Sequence, residues 1–279
     1  MIRKLSPAKV NLYLRVLRKR PDGYHDIASL MQRISLYDEL IFSPADEGIT
    51  VRCPGSFLPE NHENIVFRAA EAILTQAPHI SGGIDIIINK NIPVAAGLGG
   101  GSSNAATTLM TLNEILGLGY TTEDLMKMGV QLGADVPFFI FARTAWAFGI
   151  GEQLQAAENI PPFSLLLVNP GFELSTKMIY QNLNLRLTNE VIHYSIPRFS
   201  AVRDLAEGLL NDLETVSIRI HPILADIKKA LIACGALGAV MSGSGPTVFG
   251  LFEKEDQAIA AEKVLARRSG WSIFRAVSL

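Results

Sequence analysis

Pro93-Val94-Ala95-Ala96-Gly97-Leu98-Gly99-Gly100-Gly101-Ser102-Ser103-Asn104 is the stretch on which the reading of this chain turns. It follows a short β-rich run, Ile84-Asp85-Ile86-Ile87-Ile88, and precedes residues 102–116, where Ala105, Ala106, Leu109, Leu112 and Leu116 recur along one helical stripe. The order is strand, glycine loop, helix. Four glycines within five positions, 97–101, remove side chains from the turn, so that successive backbone N–H groups can converge on an anion. A helix opening at Ser102 adds unpaired N–H groups and the positive end of its dipole. Phosphate is the natural guest. A tight turn with Ser102 as N-cap is the plainer reading, but one turn does not need four glycines.

Familiar phosphate and catalytic motifs do not fit the loop. A Walker A motif requires Gly-Lys, and the chain has no such pair. The dinucleotide fingerprint requires Gly or Ala where Ser102 stands. A nucleophile elbow fails because Gly101-Ser102-Ser103-Asn104-Ala105 ends in Ala. His62-Glu63 opens like a zinc-protease motif, but Val66 occupies the second His position.

Outward from the loop, Val10, Leu12, Leu14 and Val16 alternate with Asn11, Tyr13 and Arg15, which predicts a strand with one apolar face and puts Lys9 and Asn11 on the other. Pro21-Asp22-Gly23 predicts a turn, followed directly by Tyr24 and His25. Residues 64–76 read as a helix stopped by Pro78, Thr121 with Asp124 as a capped helix start ending near Gly133, and Pro222 as the first turn of a helix running to Cys234. Residues 165–168 and 247–252 read as strands. The least structured join is 151–162, so a domain boundary is expected there.

The 279 residues are 48% apolar and 19% charged, which excludes a disordered chain. This length lies near the upper limit for one core, so two lobes with a cleft between them are expected. Cys53 and Cys234 have no CxxC partner, and the apolar stretch 136–151 is broken by Arg143, so neither a zinc site, a disulfide framework nor a membrane span is indicated. No apolar leader segment follows the basic start, and a cytoplasmic protein is expected. The net charge of −2, from 25 basic and 27 acidic residues, disfavours nucleic acid as a partner. Even so, Arg3, Lys4, Lys9, Arg15, Arg18, Lys19 and Arg20 all precede the first acidic residue, Asp22, and suggest a place for something anionic. Asp135 is a lone carboxylate beside a strongly apolar run, suited to a general base or, more plainly, to capping a helix ahead of Pro137. Lys9 alone reads equally well as a surface lysine.

Taken together, Pro7-Ala8-Lys9-Val10-Asn11-Leu12, the 93–104 loop, Gly133-Ala134-Asp135-Val136-Pro137-Phe138-Phe139 and Ser242-Gly243-Ser244-Gly245-Pro246-Thr247 resemble, in order and spacing, the motifs of the GHMP small-molecule kinases. Arg20-Pro21-Asp22-Gly23-Tyr24-His25 is similar to the signature of members that act on a cytidyl diphosphate substrate in non-mevalonate isoprenoid synthesis. The resemblance implies an α+β, two-lobed fold. Its N-terminal lobe, 1–155, would be of the ribosomal protein S5 domain 2-like type and bind ATP; its C-terminal lobe, 156–279, would be ferredoxin-like, with the active site in the cleft between. It implies transfer of the ATP γ-phosphate to a tertiary hydroxyl, with Mg²⁺ accompanying ATP.

Roles follow from the same resemblance. Asp135 would take or orient the hydroxyl proton, and Lys9 would hold the hydroxyl and stabilise developing charge. The loop from Pro93 to Asn104 would cradle the phosphates, with Ser102 or Ser103 reaching them or Mg²⁺. Lys90 and Asn64 would lie near the adenine. Asn11, Tyr24, His25 and Tyr180 would bind the substrate, His25 on the cytosine edge and Tyr180 supplying an aromatic. Met31 departs from the family, whose members carry a second aromatic there; its thioether is expected to pack on the base instead. The second glycine stretch, 242–245, is expected to buttress the phosphate loop. A kinase for homoserine or mevalonate is the alternative within the superfamily, and Tyr24 and His25 argue against it. Lys9 and Asp135 argue against a non-catalytic nucleotide-binding module.

Overall fold

The alternation over residues 10–16 is the middle of a longer strand, β1 (Ile2–Lys19), in the computed structural model, which describes residues 1–77, 82–183, 199–268 and 270–279. Val10, Leu12, Leu14 and Val16 are buried as expected, but Lys9, Asn11 and Tyr13 on the opposite face are buried too. Alternation reports one apolar face and is blind to a second face covered through polar contacts. The chain turns at Pro21-Asp22-Gly23, where Gly23 takes φ +87°, and returns as β2 (His25–Ala45).

The remaining elements are β3 (Ile49–Arg52), α1 (Ile65–Thr75), β4 (Gly83–Asn89), α2 (Gly100–Ile115), α3 (Thr122–Leu132), α4 (Val136–Phe141), β5 (Ala145–Phe148) and β6 (Gln153–Ala156). They continue as β7 (Ser164–Asn169), α5 (Thr176–Gln181), α6 (Val202–Glu207), β8 (Leu210–Asn211), α7 (Glu214–Ile220), α8 (Ile223–Ala233), β9 (Gly238–Met241), β10 (Val248–Phe252), α9 (Glu255–Leu265) and β11 (Ser272–Val277). Asn64 caps α1 by accepting from the Val66 N–H, and Thr121 and Asp124 form a reciprocal capping box at α3. Pro222 and Cys234 flank α8 as expected. Pro78 lies outside the described residues. The join 151–162 holds a short strand, since β6 pairs antiparallel with β5.

Two compact units divide the chain. The first comprises Met1–Ala8, Leu36–Pro93 and Gly99–Ala142. In it β4 runs antiparallel to the C-terminal half of β2 and parallel to β3, while α2 packs against α1, α3 and α4. The buried Ala105, Ala106, Leu109 and Leu112 supply the expected stripe of α2.

The second unit comprises Lys9–Ser35, Val94–Leu98 and Arg143–Leu279. Its four-stranded antiparallel sheet has the order β11-β7-β10-β9, and the chain visits those strands as β7, helices, β9, β10, α9, β11. That is the split β-α-β topology of a ferredoxin-like layer. Leu166, Val168, Ile227, Leu231, Phe252 and Leu265 lie in its core. In the same unit β8 joins β1 in parallel through Tyr13 and Leu210, and the N-terminal half of β2 pairs with β5. Among the described residues no helix is long and apolar enough to cross a membrane. Cys53 and Cys234 are both free thiols.

Candidate active site

Helix α2 begins at Gly100, two residues before the expected start, because Gly99 is its N-cap in the left-handed conformation with φ +69°. Ser102 therefore sits inside the first turn and caps nothing. The first N–H groups of such a helix have no intrahelical acceptor, and α2 has neither a capping side chain nor an acidic residue in its first turn. A positive helix end of this kind suits an anion. The 16-residue length of α2 gives the dipole its full effect.

In the second unit the loop is held from below. Gly97 takes φ +76°, and a Cβ there would fall 2.1 Å from the carbonyl oxygen of Ser242, so no other residue fits. Ser242 Oγ donates to the Gly97 carbonyl at 2.9 Å, and the Thr247 N–H reaches the Ala96 carbonyl at 3.4 Å. The 242–245 stretch does buttress the glycine loop. Asn211, which the sequence reading passed over, anchors that stretch by donating from Nδ2 to the carbonyls of Met241 and Gly243, each at 2.7 Å.

Lys9 is 4% exposed, so it is not a surface lysine. Its N–H donates to the Leu98 carbonyl at 2.9 Å, and its Nζ donates to Asn11 Oδ1 at 2.6 Å. Asn11 Nδ2 donates in turn to Ser29 Oγ, and Ser29 Oγ to the Tyr13 carbonyl, each at 2.8 Å. A methyl group on Gly243 would lie 3.2 Å from the Gly97 carbonyl oxygen, 3.4 Å from Asn11 Oδ1 and 3.5 Å from Lys9 Nζ. One glycine thus marks the point where the ammonium, its amide partner and the loop backbone meet.

In the first unit the Asp135 turn packs against the start of α2. A Cβ on Gly133 would lie 3.7 Å from Ser102 Oγ, and the Val136 N–H donates to the Gly133 carbonyl at 3.1 Å, closing the turn that carries Asp135. Asp135 occupies the N-cap position of α4, yet its side chain makes no capping hydrogen bond there. The capping explanation for this residue therefore fails. Ser103 and Asn104 depart from the expected phosphate contact. Ser103 is buried and accepts from Ser6 Oγ at 2.7 Å, and Asn104 turns inward to Asp38 at 3.0 Å, because these two positions lie on the core face of α2. Ser102 alone of the three keeps its hydroxyl off that face.

Asn64 and Lys90 also have structural partners. Asn64 Oδ1 caps α1, while its Nδ2 donates to the Pro59 carbonyl at 2.7 Å and lies 3.6 Å from Cys53 Sγ, so both ends of the amide are committed within the protein. Lys90 forms an ion pair with Asp38. Asp38 itself gives no sequence signal, being one acidic residue in an alternating strand.

The rings of His25 and Tyr180 lie 5.1 Å apart at 31°. Burial, reinforced by the Lys19 charge, pushes the His25 imidazole below its usual range, which favours the neutral ring. Tyr24 is 60% exposed, and the turn that presents it is closed by Asp22 Oδ1 accepting its N–H at 3.0 Å. Met31 is 1% exposed, a core side chain on β2 opposite Ala145, so the expected thioether surface for a base is absent. The basic residues before Asp22 do not form one open anion-binding edge either. Arg3 pairs with Glu39 at 3.5 Å, Lys4 with Glu114 at 2.7 Å, Arg18 with Asp26, and Arg20 with Asp22 at 3.0 Å. Acidic partners brought in by β2 and α2 pair with Arg3, Lys4 and Arg18, and Asp22 of the turn pairs with Arg20.

A strand, glycine loop and helix in one unit and a ferredoxin-like layer in the other are the fold of the GHMP small-molecule kinases. The GHMP kinases N terminal domain matches residues 64–143, and the GHMP kinases C terminal domain matches residues 194–269. The 4-diphosphocytidyl-2-C-methyl-D-erythritol kinase of Syntrophus aciditrophicus is 60% identical over 98% of both chains. A crystal structure of 4-(cytidine 5'-diphospho)-2C-methyl-D-erythritol kinase superposes with a TM-score of 0.84 at 34% identity, covering 99% of each chain. The homoserine kinase of Cytophaga hutchinsonii shares the fold, with a TM-score of 0.68 at 20% identity over 100% of this chain and 94% of its own. The chain belongs to the GHMP kinases, in the family of the 4-diphosphocytidyl-2-C-methyl-D-erythritol kinases.

Proposed function

We propose that this chain transfers the γ-phosphoryl group of ATP to the 2-hydroxyl of 4-diphosphocytidyl-2-C-methyl-D-erythritol in the cytoplasm, giving the 2-phosphate and ADP. The observation that carries this reading is the buried ammonium of Lys9, fixed by Asn11 beside the backbone of both glycine stretches. An ammonium in that place is able to meet negative charge arriving at the glycine loop.

Phosphoryl transfer asks mainly for positioning and charge stabilisation. The N–H groups at the start of α2 and the 93–99 backbone receive the phosphates, and Ser102 supplies a hydroxyl to them. Asp135 accepts the proton of the attacking hydroxyl as the new P–O bond forms and the bond to ADP breaks. Lys9 stabilises the charge on the transferred group, with Asn11 setting its direction. His25 reads the cytosine edge as a neutral ring against Tyr180, and Tyr24 closes over the base. Lys90 lies on the adenine side of the loop. Asn64 serves there through the helix start it caps rather than by direct contact. Residues 1–155 act as the ATP-binding domain and 156–279 as the C-terminal domain.

Mg²⁺ prefers oxygen ligands and is commonly bound through one or two carboxylates together with substrate phosphates. Ser102 would offer such an ion a hydroxyl oxygen, with the nucleotide phosphates supplying the charged ligands. Bound there with the nucleotide, the ion neutralises charge on the phosphate oxygens.

An ADP-release assay offering the cytidyl substrate, homoserine and mevalonate tests the reading. Turnover of the cytidyl substrate alone is expected. Turnover only of homoserine or mevalonate would replace the substrate while leaving the reaction class.

A further inference from the structure

Asp38, in β2, is a carboxylate with 0% exposure that neither the phosphates nor the substrate needs in the mechanism above. It gathers four donors. Its Oδ1 accepts the N–H groups of Asn91 and Ile92, each at 2.8 Å. Its Oδ2 accepts from Asn104 Nδ2 at 3.0 Å and from the Lys90 ammonium. Three of these donors belong to the segment that enters the glycine loop, and the fourth belongs to the helix that leaves it. A Cβ on Gly100 would lie 3.0 Å from Ile92 Cγ2 and 3.2 Å from Lys90 Nζ, so the residues that Asp38 holds press directly on the first residue of α2.

Asn104 sharpens the point. Its Oδ1 is buried and has no hydrogen-bond partner, an unfavourable state for a polar atom. A side chain serving only to pack at this position would be apolar. The amide is accounted for by the hydrogen bond it donates to Asp38.

From this geometry we infer that Asp38 is a positioning residue for nucleotide binding, tying the two ends of the glycine loop together so that the N–H groups at the start of α2 are held in place before the phosphates arrive. Fixing those donors in advance lowers the cost of ordering them on binding. The inference rests on the nucleotide reading of the loop. It confines the role of Asp38 to ADP and ATP affinity, leaving the cytidyl substrate untouched.

The experiment uses the full chain with D38N and N104A. ADP affinity is measured by calorimetry, thermal melting checks the fold, and kcat and both KM values come from the ADP-release assay. Asn in place of Asp38 would turn a donor toward Lys90 or Asn104, so D38N should weaken ADP binding at least about tenfold, and N104A about threefold. The ATP KM should rise in step, while the cytidyl KM stays within about twofold. Combined, D38N/N104A should be no worse than D38N alone, since N104A acts only through its contact with Asp38. Unchanged ADP affinity in a folded D38N, or in N104A if D38N does not fold, would overturn the inference, as would an equal loss for both substrates. Failure of the unaltered chain to bind ADP would instead overturn the nucleotide reading of the loop.

Discussion

Ser242 Oγ donates to the carbonyl of Gly97 at 2.9 Å, joining two glycine stretches 145 positions apart. The approach is so close that the Gly97 Cα has no room for a side chain, with the Ser242 carbonyl oxygen 2.1 Å from where a Cβ would stand. Gly97→Ala combines this clash with a strained positive φ and should cost more than about 2 kcal/mol of stability. Ser242→Ala removes only the hydroxyl and should cost about 1 kcal/mol. Urea unfolding of the two variants checks the order; equal losses would mean that the clash relaxes.

Asp135 makes no capping hydrogen bond to α4, and the role proposed for it is that of proton acceptor. Asp135→Asn should lower kcat at least about a hundredfold and leave the ATP KM within about threefold. Steady-state kinetics decide this, and a near-normal kcat would remove Asp135 from the mechanism.

His25 carries the prediction on pH. Burial, then the Lys19 charge, lowers its pKa from the ordinary 6.5, so the folded protein holds the ring neutral and takes up the proton only further into acid than the unfolded chain does. The cytidyl KM should be flat from about pH 8 down to pH 6.5 and rise only below that. Protonation also favours the unfolded chain, so any stability linked to His25 is complete at neutral pH and declines as the pH falls through 6.5 toward the lower folded value. His25→Ala should raise the cytidyl KM about tenfold with little change for ATP. A KM already rising between pH 8 and 6.5 would contradict the neutral-ring reading.

Thr121 and Asp124 cap α3 reciprocally at an exposed helix start. Thr121→Ala should cost about 1 kcal/mol in urea unfolding. Its kcat should match that of the unaltered chain, because the cap lies at the opposite end of α3 from the Gly133 turn. A loss of turnover without loss of stability would show that the cap serves the site.

Much of the architecture was legible because its signals are local. The capping box of α3, the Pro21-Asp22-Gly23 turn and the apolar stripe of α2 each depend on residues within a few positions of one another. The start of α2 was misplaced by two residues because Gly99 can cap a helix in a conformation that leaves no mark on a sequence pattern. The phosphate role expected of Ser103 failed for a related reason: loop membership does not reveal which way a side chain turns once the helix has begun.

By itself the sequence determined the family, since four glycines ahead of a helix and the motifs around Lys9 and Asp135 are those of the GHMP kinases. Tertiary structure alone decided what holds those groups. The burial of Lys9 against Asn11, the Ser242 support of Gly97, the four donors on Asp38 and the pairing of His25 with Tyr180 join residues from distant parts of the chain. Periodicity and spacing describe neighbours along the backbone. Contacts between distant residues arise only when the strands and helices pack, and those contacts set the burial and hydrogen bonding on which the chemistry of the site depends.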